Sequence, residues 1–386
     1  MVKRSFWVKR VLSALNKRSV VWLHGVRRSG KTSLCNSMRE IKIFDCELPR
    51  VREEVNDAEN FFRNLKDGDI IALDEVHRLH NPSEVLKIAA DHYPKIKIIA
   101  TGSSTMSARE KFQDTLTGRK LNVFLTPMNH QDFLDFNGRT IEHRMKFGGL
   151  PNFFMSKEFP EMEINEWLDS FWAKDVNELF KVDKRAAFLK MLEIIFLQSG
   201  GIFESSNVGK KCGISHTTSA NYLQVMESLS VAHIVRPFSN NKINELVKAP
   251  KVYAFDTGFL CYFKGWDSLR DDDKGVLWEH LVLNEFLSSS GAQILKYWRT
   301  KQGNEVDFII TPRGGKPIAI ECKYREKNFT PDGIKKFRQF YPDGENILVC
   351  SDCDKQKMKK VKDLEVKVIG IQHINDFVAG INIPLA

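Results

Sequence analysis

The sequence predicts an α/β multidomain chain, and three patterns predict it. An apolar strand runs through a glycine-rich loop into a helix at residues 19–39. A helix–turn–helix–strand succession spans 187–238, and two apolar strands near the C-terminus carry Asp307 and Glu321. At roughly 100–200 residues per domain, 386 residues hold two to four domains. The 42% hydrophobic and 11% aromatic content suffices for packed cores. No run approaches the ~18 apolar residues of a membrane-spanning helix, so no membrane partner is expected. Seven scattered cysteines make no disulfide framework and point to a reducing, cytoplasmic setting.

Residues 4–16 are basic and amphipathic but lack the apolar core of a secretory signal. They read as a helix with Phe6, Val8, Val11, Leu12 and Leu15 toward a core. Ser19–His24 is a buried strand, and Gly25-Val-Arg-Arg-Ser-Gly30-Lys31-Thr32 follows it as G-x-x-x-x-G-K-T. In that loop backbone N–H groups face phosphate oxygens, Lys31 reaches the β/γ-phosphates and the Thr32 hydroxyl ligates Mg²⁺. Gly25, Arg28, Ser29, Gly30, Lys31, Thr32 and Ser33 thus form a candidate ATP-binding set.

Asp69–Leu73 is an apolar strand ending in Asp74-Glu75. Asp74 would hold Mg²⁺ with Thr32, and Glu75 would polarise the attacking water. Asn81–Asp91 reads as a helix, and Ile96–Thr101 as a third strand with the polar tip Gly102-Ser103-Ser104. Ser103 or Ser104 is the candidate sensor of the γ-phosphate; the alternative is a plain turn. Arg119, before the strand Leu121–Leu125, is a candidate for a γ-phosphate in a neighbouring subunit or for a surface salt bridge.

Together with Leu116-Thr-Gly-Arg119 and Gly148-Gly-Leu-Pro151, these segments resemble one prokaryotic family of AAA+-related P-loop ATPases. Its members carry a winged-helix segment and a C-terminal domain of unknown function with a restriction-endonuclease-like core. The motifs occur in the family's order across nearly the whole chain. The resemblance implies ATP binding and hydrolysis with Mg²⁺, in a homo-oligomer for which a hexameric ring is one arrangement.

The rest of the chain divides accordingly. Residues 1–127 are the AAA+-like core, and 128–186 a helical lid whose aromatics, among them Phe153, Trp167 and Phe171, read as core. Residues 187–248 follow the winged-helix plan: helices Phe188–Gln198, Ser205–Cys212 and His216–Leu229, then a strand from Ala232. The third helix offers Ser215, His216, Thr217, Thr218, Ser219 and Asn221, groups suited to phosphate and sugar contacts, or it serves as a protein scaffold.

Residues 249–386 form the last domain. Asp271–Gly275 reads as a solvated loop, Val276–Ser288 as a helix carrying Glu279, and Lys355–Lys362 as a solvated helix. Alternate residues of a strand share a face, so Glu321 and Lys323 point one way, and Asp307 can lie beside Glu321 on a hairpin. This E…D…E-x-K arrangement resembles the PD-(D/E)XK nuclease core. There Asp307 and Glu321 would hold Mg²⁺, and Glu279 and Lys323 would complete the catalytic set. Cys350-Ser-Asp-Cys353 lacks a second ligand pair for zinc.

The sequence thus reads as an ATP-hydrolysing, DNA-processing protein with possible endonuclease activity on duplex or branched DNA; its protein partners are open. The alternative is a nucleotide-controlled signalling or defence switch whose last domain binds without cutting. The formal net charge of +9 supports neither by itself. Residues 1–40 hold ten basic side chains against Glu40 alone, which accounts for the whole excess.

Overall fold

The computed structural model describes residues 2–103, 116–137, 139–177, 182, 184–239, 245, 248–290 and 295–381. They form two compact units. The first comprises Met1–Gly138, Leu150–Asp183 and Ser228–Ser230; the second comprises Arg139–Gly149, Lys184–Glu227 and Val231–Ala386. The expected ATPase core and most of the lid fall in the first unit. The expected winged helix and last domain share the second.

In the first unit β1 (Val20–Gly25), β2 (Ile41–Asp45), β3 (Ile70–Asp74), β4 (Lys97–Ser103) and β5 (Lys120–Phe124) form one sheet in the order β2-β3-β4-β1-β5. Every pairing is parallel. Parallel strands are covered on both faces, which is why β1 is buried at every position. Val20 and Trp22 join a core with Phe61, Phe62, Leu73 and Leu86, whereas Val21 and Leu23 face Trp7, Val11, Leu15 and Ile99. The helix Ser5–Lys17 supplies Trp7, Val8, Val11 and Leu15 to that second core. Leu12, expected inside, is 38% exposed, because Trp7 shifts the apolar stripe.

In the second unit β6 (Gly201–Ile202), β7 (Ala232–Pro237), β8 (Lys251–Ala254), β9 (Lys296–Arg299), β10 (Glu305–Ile310), β11 (Ile318–Lys323), β12 (Asn346–Cys350), β13 (Lys357–Val361) and β14 (Leu364–Ile369) form one sheet. Its order is β13-β14-β12-β11-β10-β9-β7-β8-β6. Helices Arg185–Leu197, Ser205–Cys212 and His216–Ser228 precede β7, and β8 pairs antiparallel with both β7 and β6. A boundary at residue 248 therefore lies inside this three-stranded group. Ser219 is buried and donates to the Met191 sulfur at 3.7 Å, so it leaves the exposed face on which it was expected.

Further along, the helix Asp271–Ser290, the antiparallel strands β9-β10-β11, the helix Asp332–Phe340 and β12 follow in sequence, β12 lying parallel to β11. Asp271, Asp272 and Asp273 form the first turn of the long helix rather than a loop, where their charge favours the N-terminus. Lys357–Val361 is an edge strand rather than a helix. Its lysines keep that edge polar, and Lys357 and Lys359 pair with Glu326. Glycine is required at Gly148: φ is +81°, and a Cβ would stand 2.0 Å from an Asp256 carboxylate oxygen that accepts from Gly258 N–H. All seven cysteines are buried and unbridged. Among the described residues no helix is long and apolar enough to cross a membrane.

Candidate functional sites

The first site forms where β1, β3 and β4 end, the edge at which ligands meet parallel sheets. The register pairs Gly25 with Ser103 and Leu73 with Ala100, which sets Asp74 beside Thr101. A Cβ on Gly25 would lie 2.3 Å from the Leu125 carbonyl oxygen, so the loop passes where only glycine fits. Arg28 and Gly30 are left-handed, with φ of 62° and 94°, and curl the chain into the helix Lys31–Asn36.

Lys31 is buried, and its Nζ donates to the Gly25 and Val26 carbonyls at 3.1 and 3.3 Å. Burial pulls its pKa down, against the opposing charges of Glu75, Asp175 and Asp74. The Thr32 hydroxyl donates to Asp74 Oδ2 at 2.7 Å. The Thr101 hydroxyl donates to Asp74 Oδ1 and accepts from the Glu75 N–H at 3.1 Å. Glu75 is left-handed, and its carboxylate lies 3.1 Å from His77 Nδ1. Burial raises the Glu75 carboxyl, but the His77 hydrogen bond and Lys31 outweigh it and hold the group below its usual range.

A cavity of about 380 Å³ opens over Lys31, Thr32, Glu75 and His77, while buried Asp74 and Thr101 do not line it. Arg28, Gly30, Lys31, Thr32, Ser33 and Glu75 line it, whereas Ser29 is buried behind the loop. There the Ser29 carbonyl accepts from Arg4 Nη1 at 2.7 Å, and Arg4 is pinned in turn to Asp132 at 2.5 Å. The far wall includes Lys174 and Asp175 from the π-helical turn Phe171–Asn177. Asp175 Oδ2 lies 2.8 Å from Arg27 Nε, and burial pushes its carboxyl up. Ser103 ends β4 at this edge, but its side chain and all of Ser104 lie outside the described residues. Arg119 lies away from the cavity and pairs with Asp91 on the surface at 2.6 Å.

The second site lies in the second unit. Phe308 pairs with Ile320 across β10 and β11, and the same register sets Asp307 opposite Glu321. On its other side β10 shifts register against β9 between Val306 and Ile309, the stretch that includes Asp307. Lys323 Nζ reaches Glu321 at 2.9 Å and Asp307 at 3.6 Å, and Asp307 accepts from the Cys322 N–H at 2.8 Å. Burial and the adjacent Asp307 push the Glu321 carboxyl well above its ordinary value. Burial alone would lower Lys323, but Asp307 and Glu321 outweigh it and raise it.

Glu279 adjoins this group without closing on it. Its carboxylate accepts from Tyr253 OH at 2.5 Å and lies 3.5 Å from Lys251 Nζ, while Lys251 also pairs with Glu305. Burial raises the Glu279 carboxyl. Two buried, opposed carboxylates with one shared lysine form a donor set that fits a divalent cation retaining several waters. Among the described residues no three His, Cys, Asp or Glu side chains converge on one point.

Thr101, Arg4, Asp175, Lys251, Tyr253 and Glu305 escaped the sequence reading. Only Thr101 left a signal, as a polar residue within an apolar strand.

Comparison with known proteins follows the same division. Residues 17–134 match the family described as an AAA domain. Residues 138–270 and 274–372 match two domains of unknown function, DUF8612 and DUF4143. An uncharacterised protein of Mycobacterium tuberculosis is 24% identical over 333 residues, covering 84% of this chain and 74% of its own length. One from Methanocaldococcus jannaschii is 23% identical over 347 residues, covering 81% and 76%. Among solved structures, a Walker-type ATPase of Pyrococcus abyssi aligns with TM-score 0.45 and 16% identity, over 68% of this chain and 96% of that one.

Proposed function

We propose that this chain, which carries a P-loop ATPase domain of the AAA type in residues 17–134, is an ATP-hydrolysing, Mg²⁺-dependent DNA-processing protein. The observation that carries the ATPase part is the array at the end of the sheet: buried Lys31, Thr32 on Asp74, and Thr101 bridging Asp74 to Glu75. In this reading Lys31 leaves the loop carbonyls for the β/γ-phosphate oxygens. Thr32 and Asp74 would hold Mg²⁺, which would supply neutralisation of phosphate charge. Glu75 turns from His77 to orient the attacking water. Ser103 would report on the γ-phosphate. Arg119, exposed and remote from its own cavity, suits a neighbouring subunit of a homo-oligomer.

The order helix, β6, helix, helix, β7, β8 supports a winged helix in 187–248, extended by β8. His216, Thr217 and Asn221 are exposed at its third helix and would contact DNA phosphates. For the C-terminal centre, the succession helix, three antiparallel strands, helix and parallel strand supports a restriction-endonuclease-like core. Asp307 and Glu321 would hold Mg²⁺ there, Glu279 would border the site, and Lys323 would position water and offset charge on the phosphate.

The test is cleavage of linear, branched and single-stranded DNA with Mg²⁺ by wild type, Glu321→Ala and Lys323→Ala. Wild-type cutting lost in both variants supports the nuclease reading. Silence of all three on every substrate sinks it and leaves a nucleotide-controlled switch whose last domain only binds.

A further inference from the structure

The acidic centre of the second unit contains a cation that the chain itself provides. Lys251 lies on β8, and its side chain is 4% exposed. Its Nζ pairs with Glu305, lies 3.5 Å from Glu279 and sits 6.0 and 5.8 Å from the Tyr253 and Tyr297 rings. An ammonium this deep is tolerated only where carboxylates surround it, and the aromatic faces hold it further.

The charges of the centre fall into two groups: Lys251 stands with Glu279 and Glu305, and Lys323 with Asp307 and Glu321. Arg299, 3.6 Å from Glu305, adds a half-exposed charge at the rim of the first group, screened by water. Moreover, Glu279 spends its oxygen on Tyr253 and Lys251 rather than joining Asp307 and Glu321.

We infer that Lys251 is a resident cation occupying the place of a second metal, so that this centre takes one divalent ion, at Asp307 and Glu321. The inference rests on the metal-centre reading above. Lys251, with Arg299 at the rim, stays permanently with Glu279 and Glu305, while the exchangeable ion joins Lys323 at Asp307 and Glu321. Because Lys251 lies on β8, which pairs with β7, the hairpin of the proposed winged helix builds one wall of the centre.

The experiment counts Mn²⁺ bound to the full-length, nucleotide-free chain by electron paramagnetic resonance, with Glu321→Ala as the background. Wild type should bind one Mn²⁺ above that background, Lys251→Arg one, and Lys251→Met two. A thermal melt accompanies the count. Removing one partner of a buried pair leaves the other charge uncompensated, so Lys251→Met should melt lower in EDTA and recover in Mn²⁺ by more than wild type gains. One ion in both wild type and Lys251→Met at equal affinity, or two in wild type, overturns the role of Lys251 and spares the metal centre. A Lys251→Met protein that fails to fold and is not rescued by Mn²⁺ overturns it as well. No Mn²⁺ in wild type beyond Glu321→Ala overturns the metal centre and this inference with it.

Discussion

Thr101→Val removes one hydroxyl and nothing else of comparable size. Thr101 is fully buried, and its Oγ1 both donates to Asp74 and accepts from the Glu75 N–H. Losing a hydrogen bond to a charged group costs about 1.5–3 kcal/mol, and a buried N–H left unpaired costs about 1–3 kcal/mol. We take about 3 kcal/mol for the pair, since some relaxation is available at a strand end. At roughly 2–4 °C per kcal/mol for a unit of this size, the first unit should melt about 6–12 °C lower. ATP turnover should fall at least tenfold, because Asp74 and the Glu75 backbone both lose their fixed partner. Thr101→Ser keeps the hydroxyl and should remain near wild type in both assays. Calorimetry and phosphate release on the three proteins decide the matter. A Thr101→Val protein melting within 2 °C of wild type and turning over at its rate would mean that the hydroxyl holds neither Asp74 nor the Glu75 backbone in place.

Further outcomes follow from the same geometry. Gly25→Ala should abolish nucleotide binding, since its Cβ meets the Leu125 carbonyl; wild-type affinity by calorimetric titration would contradict this. Arg119→Ala should leave the melting temperature unchanged and slow turnover at least tenfold, whereas Asp91→Ala, which removes only the surface pair, should slow nothing; equal turnover in both variants would end the intersubunit role. His233 and His280 are buried, and burial lowers both pKa values to about 4, from 6.5 in the unfolded chain. Below pH 6.5 the unfolded chain takes up the protons first, so stability is lost as pH falls from 6.5 toward 4. The loss is about 2 kcal/mol per histidine at pH 5. Denaturant unfolding of the second unit at pH 7 and 5 checks this in wild type beside His233→Phe; an equal change in both would contradict it.

The parts legible in the sequence were those fixed by local spacing. Gly25 through Thr32 states its own conformation, because few backbones other than a phosphate loop need that combination of residues. A hairpin of two apolar strands can set Asp307 beside Glu321, and the register has them opposite each other. What stayed hidden depends on contacts distant in sequence. In the sequence Lys251 merely opens the last domain, seventy residues before Glu321, and only the strand order, with β8 beside β7 and β7 beside β9, brings it to the centre. The register shift between Val306 and Ile309 has no glycine to announce it. Lys355–Lys362 has the composition of a solvated helix, but its alternation lets Lys357 and Lys359 share Glu326, and pairing with β14 makes it a strand. Asp271–Gly275 failed for the opposite reason: three acids suggest a loop until the helix N-terminus they favour is considered.

The central claim is that ATP hydrolysis serves work on DNA. The most direct measurement is the steady-state ATPase rate of wild type beside Glu75→Gln, each with and without linear and branched DNA. Wild-type turnover should rise at least several-fold with DNA. Glu75→Gln should lose about 10²–10⁴ in rate, the span of a general base, with nucleotide binding retained. A wild-type rate indifferent to every DNA, with an assembly state that follows the bound nucleotide instead, would contradict it.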